Sequence, residues 1–248
     1  MKKILPFIFF ASLTFSLVAC KKATEILNPI PATEYFPLTV GKYITYKLDS
    51  LVFINFGASS VIRSFEVKYV NEAQITDNLD SPAYRIVRYI RKTSPNPWAP
   101  DATFLATSTG KGIDFTENNL RYQKLKTPVR NSYSWKGNSY IDTYSFNSTV
   151  KYLGDWDYSY DSVGVQSVVG TYTLANTVKV DQRDEVIGNP NDPNSYSEIN
   201  YSVEKYAAGI GLVYRKFLHT EYQPPTPGLG GRFVDGSYGV TLTMIDHN

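Results

Sequence analysis

From Tyr35 to the end of the chain, apolar and polar positions alternate with a period of two. In the run Asp155–Asp161, Trp156, Tyr158 and Tyr160 share one parity, and Asp155, Asp157, Ser159 and Asp161 the other. On a strand such sets point to opposite faces. No window sustains the i, i+3, i+4, i+7 stripe of an amphipathic helix. The alternation predicts strands over Lys42–Asn55, Val61–Ile75, Ala83–Lys92, Thr103–Ser108, Leu120–Leu125, Thr143–Lys151, Asp155–Ser162, Thr171–Val180, Ser197–Tyr206, Leu212–Glu221 and Phe233–Ile245. Segments rich in Pro, Gly, Asn and Asp separate several of them: "DNLDSP", "SPNPWAP", "GNPNDPNS" and "PPTPGLGG" read as surface loops. The expected fold is all-β and antiparallel: about eleven strands in a strongly curved sheet or barrel-like (half-barrel) architecture.

Parity also predicts one register. Tyr144, Phe146 and Val150 match the parity of Trp156, Tyr158 and Tyr160. A hairpin joining Thr143–Lys151 to Asp155–Ser162 through Tyr152-Leu153-Gly154 keeps all six on one face. It sets Val150 opposite Trp156 and Lys151 opposite Asp155, and needs Gly154 in the left-handed conformation. A fainter echo, Tyr35–Tyr43 against Leu125–Trp135, places a Pro ahead of an aromatic strand start in both copies. Residues 35–248 are therefore expected to form a single β domain, with two similar halves as the alternative organisation.

The first residues differ in kind. Met1-Lys2-Lys3 is positive, and Ile4–Val18 is apolar without a charge. That run falls short of the about 20 residues that span a bilayer core, so 1–19 reads as a cleaved signal helix. It ends in Leu17-Val18-Ala19-Cys20, which resembles the lipobox of bacterial lipoproteins. The resemblance implies lipidation of Cys20 and a membrane partner held through that anchor. Residues 20–34 then form a flexible tether reaching about 20 Å. Lys21 stands where inner-membrane retention in that class uses Asp, and only Glu25 is acidic nearby. The expected location is the outer membrane, with the periplasmic leaflet favoured over the cell surface.

Composition narrows the chemistry. Cys20 is the only cysteine, so the mature chain has no thiol for a disulfide or a thiolate metal site. Cleavage removes Lys2 and Lys3 from 25 basic residues, which leaves 23 against 23 acidic ones. A neutral balance argues against nucleic acid, whose binding draws on basic patches. The two histidines, His219 and His247, read as surface or edge residues. No GxSxG, HExxH, P-loop or CxxC pattern occurs. No catalytic residue and no cofactor are expected.

Two constellations remain. Asp155, Asp157 and Asp161 alternate like the opening of a calcium loop, but Tyr160 and Gln166 stand where that loop needs Gly and Glu. They are the one alternative to the absence of a metal site. On a strand they lie about 6.5–7 Å apart, near the spacing of an inverting glycosidase pair. Trp135, Trp156, Tyr158 and Tyr160 are the candidate ligand-binding residues, as rings able to stack on sugars or to line a lipid cavity. The plainer reading makes them the core face of the sheet.

Three segments, "YFPLTVGKYITYKLDS" (35–50), "SWKGNSY" (134–140) and "YAAGIGLVYRKF" (206–217), are together similar to uncharacterised Bacteroidetes-type envelope lipoproteins. The likeness extends to the closing "SYGVTLTMIDHN". It implies a β-rich lipoprotein domain and no particular activity. Gly209 and Gly211 in the third segment read as a sharp bend before a strand. The expected role is non-catalytic binding or scaffolding, with a glycan, a lipid or an envelope protein as partner. The alternatives are a carbohydrate or lipid carrier with an aromatic-lined concavity and, less favoured, a carboxylate-dependent glycan hydrolase. Cys20→Ala should abolish lipobox processing and partition into detergent, read by palmitate labelling. A variant that still matures with lipid attached would overturn the anchor.

Overall fold

The structure is a computed structural model that describes residues 30–77 and 80–248. The signal helix 1–19, Cys20 and the tether as far as residue 29 lie outside the described residues. A one-turn helix, α1 (Ala32–Tyr35), precedes β1 (Tyr43–Ile54), β2 (Ser59–Thr76), β3 (Pro82–Arg91), β4 (Ala99–Ser108), β5 (Gly112–Glu117), β6 (Leu120–Lys126) and β7 (Ser134–Lys136). After a 3-10 turn at Lys151–Leu153 come β8 (Asp157–Val169), β9 (Tyr172–Gly188), β10 (Ser197–Ala207), β11 (Gly211–Gln223), β12 (Arg232–Phe233) and β13 (Tyr238–His247). All belong to one antiparallel sheet in the order β6-β5-β4-β3-β2-β1-β13-β11-β10-β9-β8-β7, with β12 on β11. The fold is all-β and barrel-like, as the alternation predicts.

The two ends of that order, β6 and β7, meet without a shared ladder. The Gln123 N–H donates to the Gly137 carbonyl at 2.8 Å, and the Trp135 indole N–H to the Gln123 carbonyl at 2.7 Å. The Tyr160 hydroxyl donates to the Lys126 carbonyl at 2.7 Å and accepts from the Lys126 N–H at 2.6 Å. These bonds, with the Gln123 side-chain amide donating to the Lys136 carbonyl at 3.3 Å, close the barrel. Gly137 is required there, because a Cβ would stand 2.3 Å from the Tyr158 ring.

One mouth of the barrel is closed by the lead-in to β1. The Glu34 carbonyl accepts from the Gly209 N–H at 2.9 Å, the Tyr35 hydroxyl donates to Asn176 at 2.7 Å, and Val129 N–H donates to the Ile30 carbonyl at 3.1 Å. Ala32 and Tyr35 are fully buried. Ile30–Glu34, expected in the tether, is thus docked on the domain. This end, the lead-in end, also holds the β10–β11 turn, where Gly209 takes a positive φ of 72° as the bend reading requires.

The segment Gly137–Trp156 departs from the sequence reading. Thr143–Lys151 is not a strand. The Asp142 carboxylate accepts from the Tyr144 and Ser145 N–H groups at 3.1 and 3.0 Å, and Ser148 Oγ donates back to the Asp142 carbonyl. These local bonds compete with ladder formation, as Asp and Ser side chains commonly do. The hairpin register fails with it. Tyr158 pairs with Trp135 of β7, Gly154 sits at φ −65°, and Asp155 takes the positive φ of 58°. The parity of Asp155–Asp161 holds nonetheless, with Trp156, Tyr158 and Tyr160 buried.

Two strands escaped the alternation. The strand β7 is only three residues long, and β5 is hidden by its closeness to β6. Asn118 and Asn119 between them both take positive φ, 51° and 62°, in the two-residue turn that Asn favours. Tyr160→Phe should leave the Lys126 N–H and carbonyl without this partner at the barrel closure. The expected loss is about 1–3 kcal/mol in denaturant unfolding, with an unchanged far-ultraviolet spectrum.

Candidate functional site

Two bulges aim polar side chains into the barrel. Between β5 and β6, Ile113 faces Leu125 and Asp114 faces Gln123, so Lys124 is the extra residue. Between β9 and β10, Ser202 faces Arg183 and Val203 faces Asp181, so Gln182 is the extra residue. A bulge re-aims the side chain it carries. Both of these reach the same carboxylate, that of Glu204 on β10, which is wholly buried.

Glu204 Oε1 accepts from Lys124 Nζ at 2.6 Å. Its Oε2 accepts from Gln182 Nε2 at 2.8 Å and from the Tyr206 hydroxyl at 2.6 Å. Ser202 Oγ donates to the Gln182 amide oxygen at 2.6 Å, which fixes the orientation of that amide. Arg215 on β11 stands opposite Glu204 in the ladder and forks onto Glu117 of β5 through Nη1 and Nη2, at 3.0 and 2.8 Å. Its Nε lies 3.7 Å from Glu204 and has no hydrogen-bond partner. Two acids and two bases therefore neutralise each other inside the barrel.

Burial alone would push the Glu117 carboxyl up. The cations Arg215, Lys124 and Arg88 outweigh that penalty and hold it at about 2. Burial likewise opposes the charge on Arg215, and Glu117 and Glu204 more than restore it. The Tyr206 phenol is driven well above its ordinary range by burial and by the Glu204 carboxylate it bonds. Glu117, Arg215 and Tyr206 are thus each held away from proton exchange near neutrality. Its cavity, bordered by Phe36, Ile44, Tyr46 and Phe115 as well as by the charges, measures about 60 Å³. Small-molecule sites run to roughly 300–1,000 Å³. The space suits a few waters, which would find polar partners there.

The four aromatic candidates are buried in the core. Trp135 lies 4.6 Å from Tyr160 and 5.8 Å from Tyr158, measured between ring centroids, and Trp156 stacks on Phe217 at 6.0 Å. Their polar atoms bond inward: Trp156 Nε1 to the Tyr152 carbonyl and the Tyr158 hydroxyl to Asn138. None exposes a ring face to solvent, which agrees with the plainer reading as the core face of the sheet, and among the four Trp156 borders an open pocket. The acidic candidates do not converge. Asp155 accepts from the Tyr144 hydroxyl at 3.0 Å, Asp157 pairs with Lys136 at 3.1 Å, and Asp161 with Lys179 at 2.7 Å. Among the described residues no group of three or more His, Cys, Asp or Glu is arranged to hold a metal.

His219 is corrected: it is buried, not at the surface. Its ring stacks on Tyr152 at 3.7 Å with planes 9° apart, and its Nδ1 lies 2.8 Å from the Asn200 side-chain oxygen. Burial lowers its pKa against a weaker opposing pull from Glu198. That stack pins the segment Gly137–Trp156 across the upper part of the barrel.

Sequence reasoning missed the charged cluster. Arg215 carried a legible signal, because it shares parity with Val213, Phe217 and His219 on a strand. Gln182 shares parity with Val178 and Val180, and Lys124 with Leu120 and Tyr122, but their polar side chains gave no sign of the distant carboxylate they meet. The chain matches no protein-family model and no curated protein.

Glu117 contributes stability that is complete above its ordinary pKa of 4.5 and is lost as pH falls towards about 2. That difference corresponds to roughly 3 kcal/mol. Glu117→Gln should cost a similar amount at neutral pH and flatten the profile between pH 4.5 and 2, followed by urea unfolding across pH. A variant as stable as the wild type would remove the cluster from the stability of the barrel.

Proposed function

We propose that the chain is a lipid-anchored, non-catalytic protein of the bacterial cell envelope, tethered through Cys20 at the outer membrane, and that it acts by binding or scaffolding at the barrel end farthest from the anchor. The observation that carries this reading is the distribution of exposed rings. Among the described residues the exposed aromatic side chains are Phe56, Tyr140, Tyr144, Phe146, Tyr196 and Tyr238. All six belong to the loops and strand ends opposite the docked lead-in: the β1–β2 turn, the segment Gly137–Trp156, the β9–β10 loop and the start of β13. Phe56 is 96% exposed and Phe146 92%. Rings left bare at one end of a domain mark a contact surface more often than a solvation surface.

The chain enters the barrel at the other end. Nine residues separate Cys20 from Ile30, a reach of about 17 Å for a random-coil chain of that length. An anchor at Cys20 would hold that end near the bilayer and turn the aromatic end outwards. The filled lumen supports contact through the outside of the barrel over a ligand carried within. The separate partners of Asp155, Asp157 and Asp161 weigh against a hydrolase, which needs two carboxylates facing one bond.

The test is photocrosslinking in cells. A photoreactive residue at Phe56 or Phe146 should yield discrete adducts with an envelope component, and the same residue at Val168, exposed on the anchor side, should not. Adducts from Val168 alone would overturn the assignment of ends.

A further inference from the structure

Between β7 and the segment Gly137–Trp156, on the outward end, lies an open pocket of about 260 Å³. An apolar cavity of about 150 Å³ takes a benzene ring, so this one has room for a six-membered ring with substituents. Its lining combines Tyr144, which is 77% exposed, with the side chains of Lys136, Ser139, Thr143 and Asp155. Trp156 contributes to the floor.

The polar groups there are only partly used. Asp155 accepts from the Tyr144 hydroxyl through Oδ1, which leaves Oδ2 as an acceptor. Lys136 spends one of its three N–H bonds on Asp157. Ser139 Oγ accepts from the Gln123 amide, and its own O–H remains to donate. The pocket thus offers donors and acceptors in mixed order around a bare aromatic ring, with one positive and one negative charge that offset each other.

The walls are held before any ligand arrives. The Asp142 carboxylate caps the backbone N–H groups of Tyr144 and Ser145, Asn138 donates to the Leu153 carbonyl at 2.9 Å, and Tyr152 is stacked on His219. Asp155 is a non-glycine residue at φ 58°, a conformation that Asp tolerates better than most and that recurs at ligand sites. Preorganisation of this kind lowers the cost of binding.

We infer that this pocket binds one ring of a neutral carbohydrate, with a C–H face of the sugar on Tyr144 and its hydroxyls on Asp155, Lys136 and Ser139. An anion would meet Asp155, a cation would meet Lys136, and an apolar ligand would leave the spare donors and acceptors of Asp155, Lys136 and Ser139 unused. A ring carrying both hydroxyls and a C–H face satisfies all of them. The inference rests on the outward end being the binding end, and it names the chemistry that end would recognise.

The experiment is titration of the full mature chain with neutral methyl glycosides and with a glycan array that includes acidic and sulfated sugars. At least one neutral glycoside should bind. Tyr144→Ala and Asp155→Asn should each weaken it by about tenfold or more, with thermal midpoints near that of the wild type. Asn keeps the left-handed conformation at 155, and Tyr144 is outside the core, so neither variant needs the fold to change. Absence of binding to every neutral sugar, or affinity unaltered in Tyr144→Ala, would sink the proposal. So would binding confined to acidic sugars and lost in Lys136→Ala. If sugars fail while crosslinks from Phe56 persist, the carbohydrate assignment falls and the outward binding end stands.

Discussion

Burying four charges inside a β barrel is tolerable only when each finds its partner. Glu117 and Arg215 are 98 residues apart in the chain, and Lys124 and Glu204 are 80 apart. Both pairs link the β5–β6 side of the sheet to the β10–β11 side, across the lumen rather than along a ladder. A slip of one residue in any strand between them would leave a charge buried alone, a penalty of about 3–5 kcal/mol. The cluster therefore penalises wrong registers much more than it adds to the right one. Two bulges supply Lys124 and Gln182 to it, so even the irregularities of the sheet serve one carboxylate.

The remaining interior follows from that centre. Aromatic side chains fill the space towards the end opposite the lead-in, where Trp156 stacks on Phe217, Phe217 meets Tyr152 edge-on and Tyr152 stacks on His219. Towards the lead-in end, Phe36 packs near Phe115 and Tyr206, directly beside the charges. The lumen is thus occupied from both mouths, and the exposed rings are left to the loops and strand ends. The core beneath them is held by charges that pair across it, Glu117 with Arg215 and Lys124 with Glu204.

Alternation made most of the fold legible. Nine of the eleven expected strands map onto observed strands, and the closing segment Phe233–Ile245 divides between β12 and β13. The error at Thr143–Lys151 came from two aromatics, Tyr144 and Phe146, set among Thr, Ser and Asn. Periodicity counted the rings, and the Asp142 cap decided the backbone. The candidate site was less legible. Parity places Lys124 with Tyr122 and Gln182 with Val178 and Val180, but it says nothing of which residue across the lumen they meet. Asp155 and Trp156 were singled out for the wrong partners: the pocket they border is built with Lys136, Ser139 and Thr143, which only the turn brings near them.

The strand order has a consequence for the history of each molecule. The first strand, β1, lies between β2 and β13, the last strand in chain order. Strands β1–β6 can zip locally as a meander, and so can β7–β11, but the two sheets share no ladder until residues 238–247 insert between β1 and β11. Each β1–β13 pair, from Val52–Tyr238 to Ile44–His247, spans most of the chain, the high contact order that slows folding. Until β13 inserts, two curved half-sheets with exposed edges must coexist, each a template for the wrong neighbour. The barrel is therefore completed only when one strand joins β1 to β11.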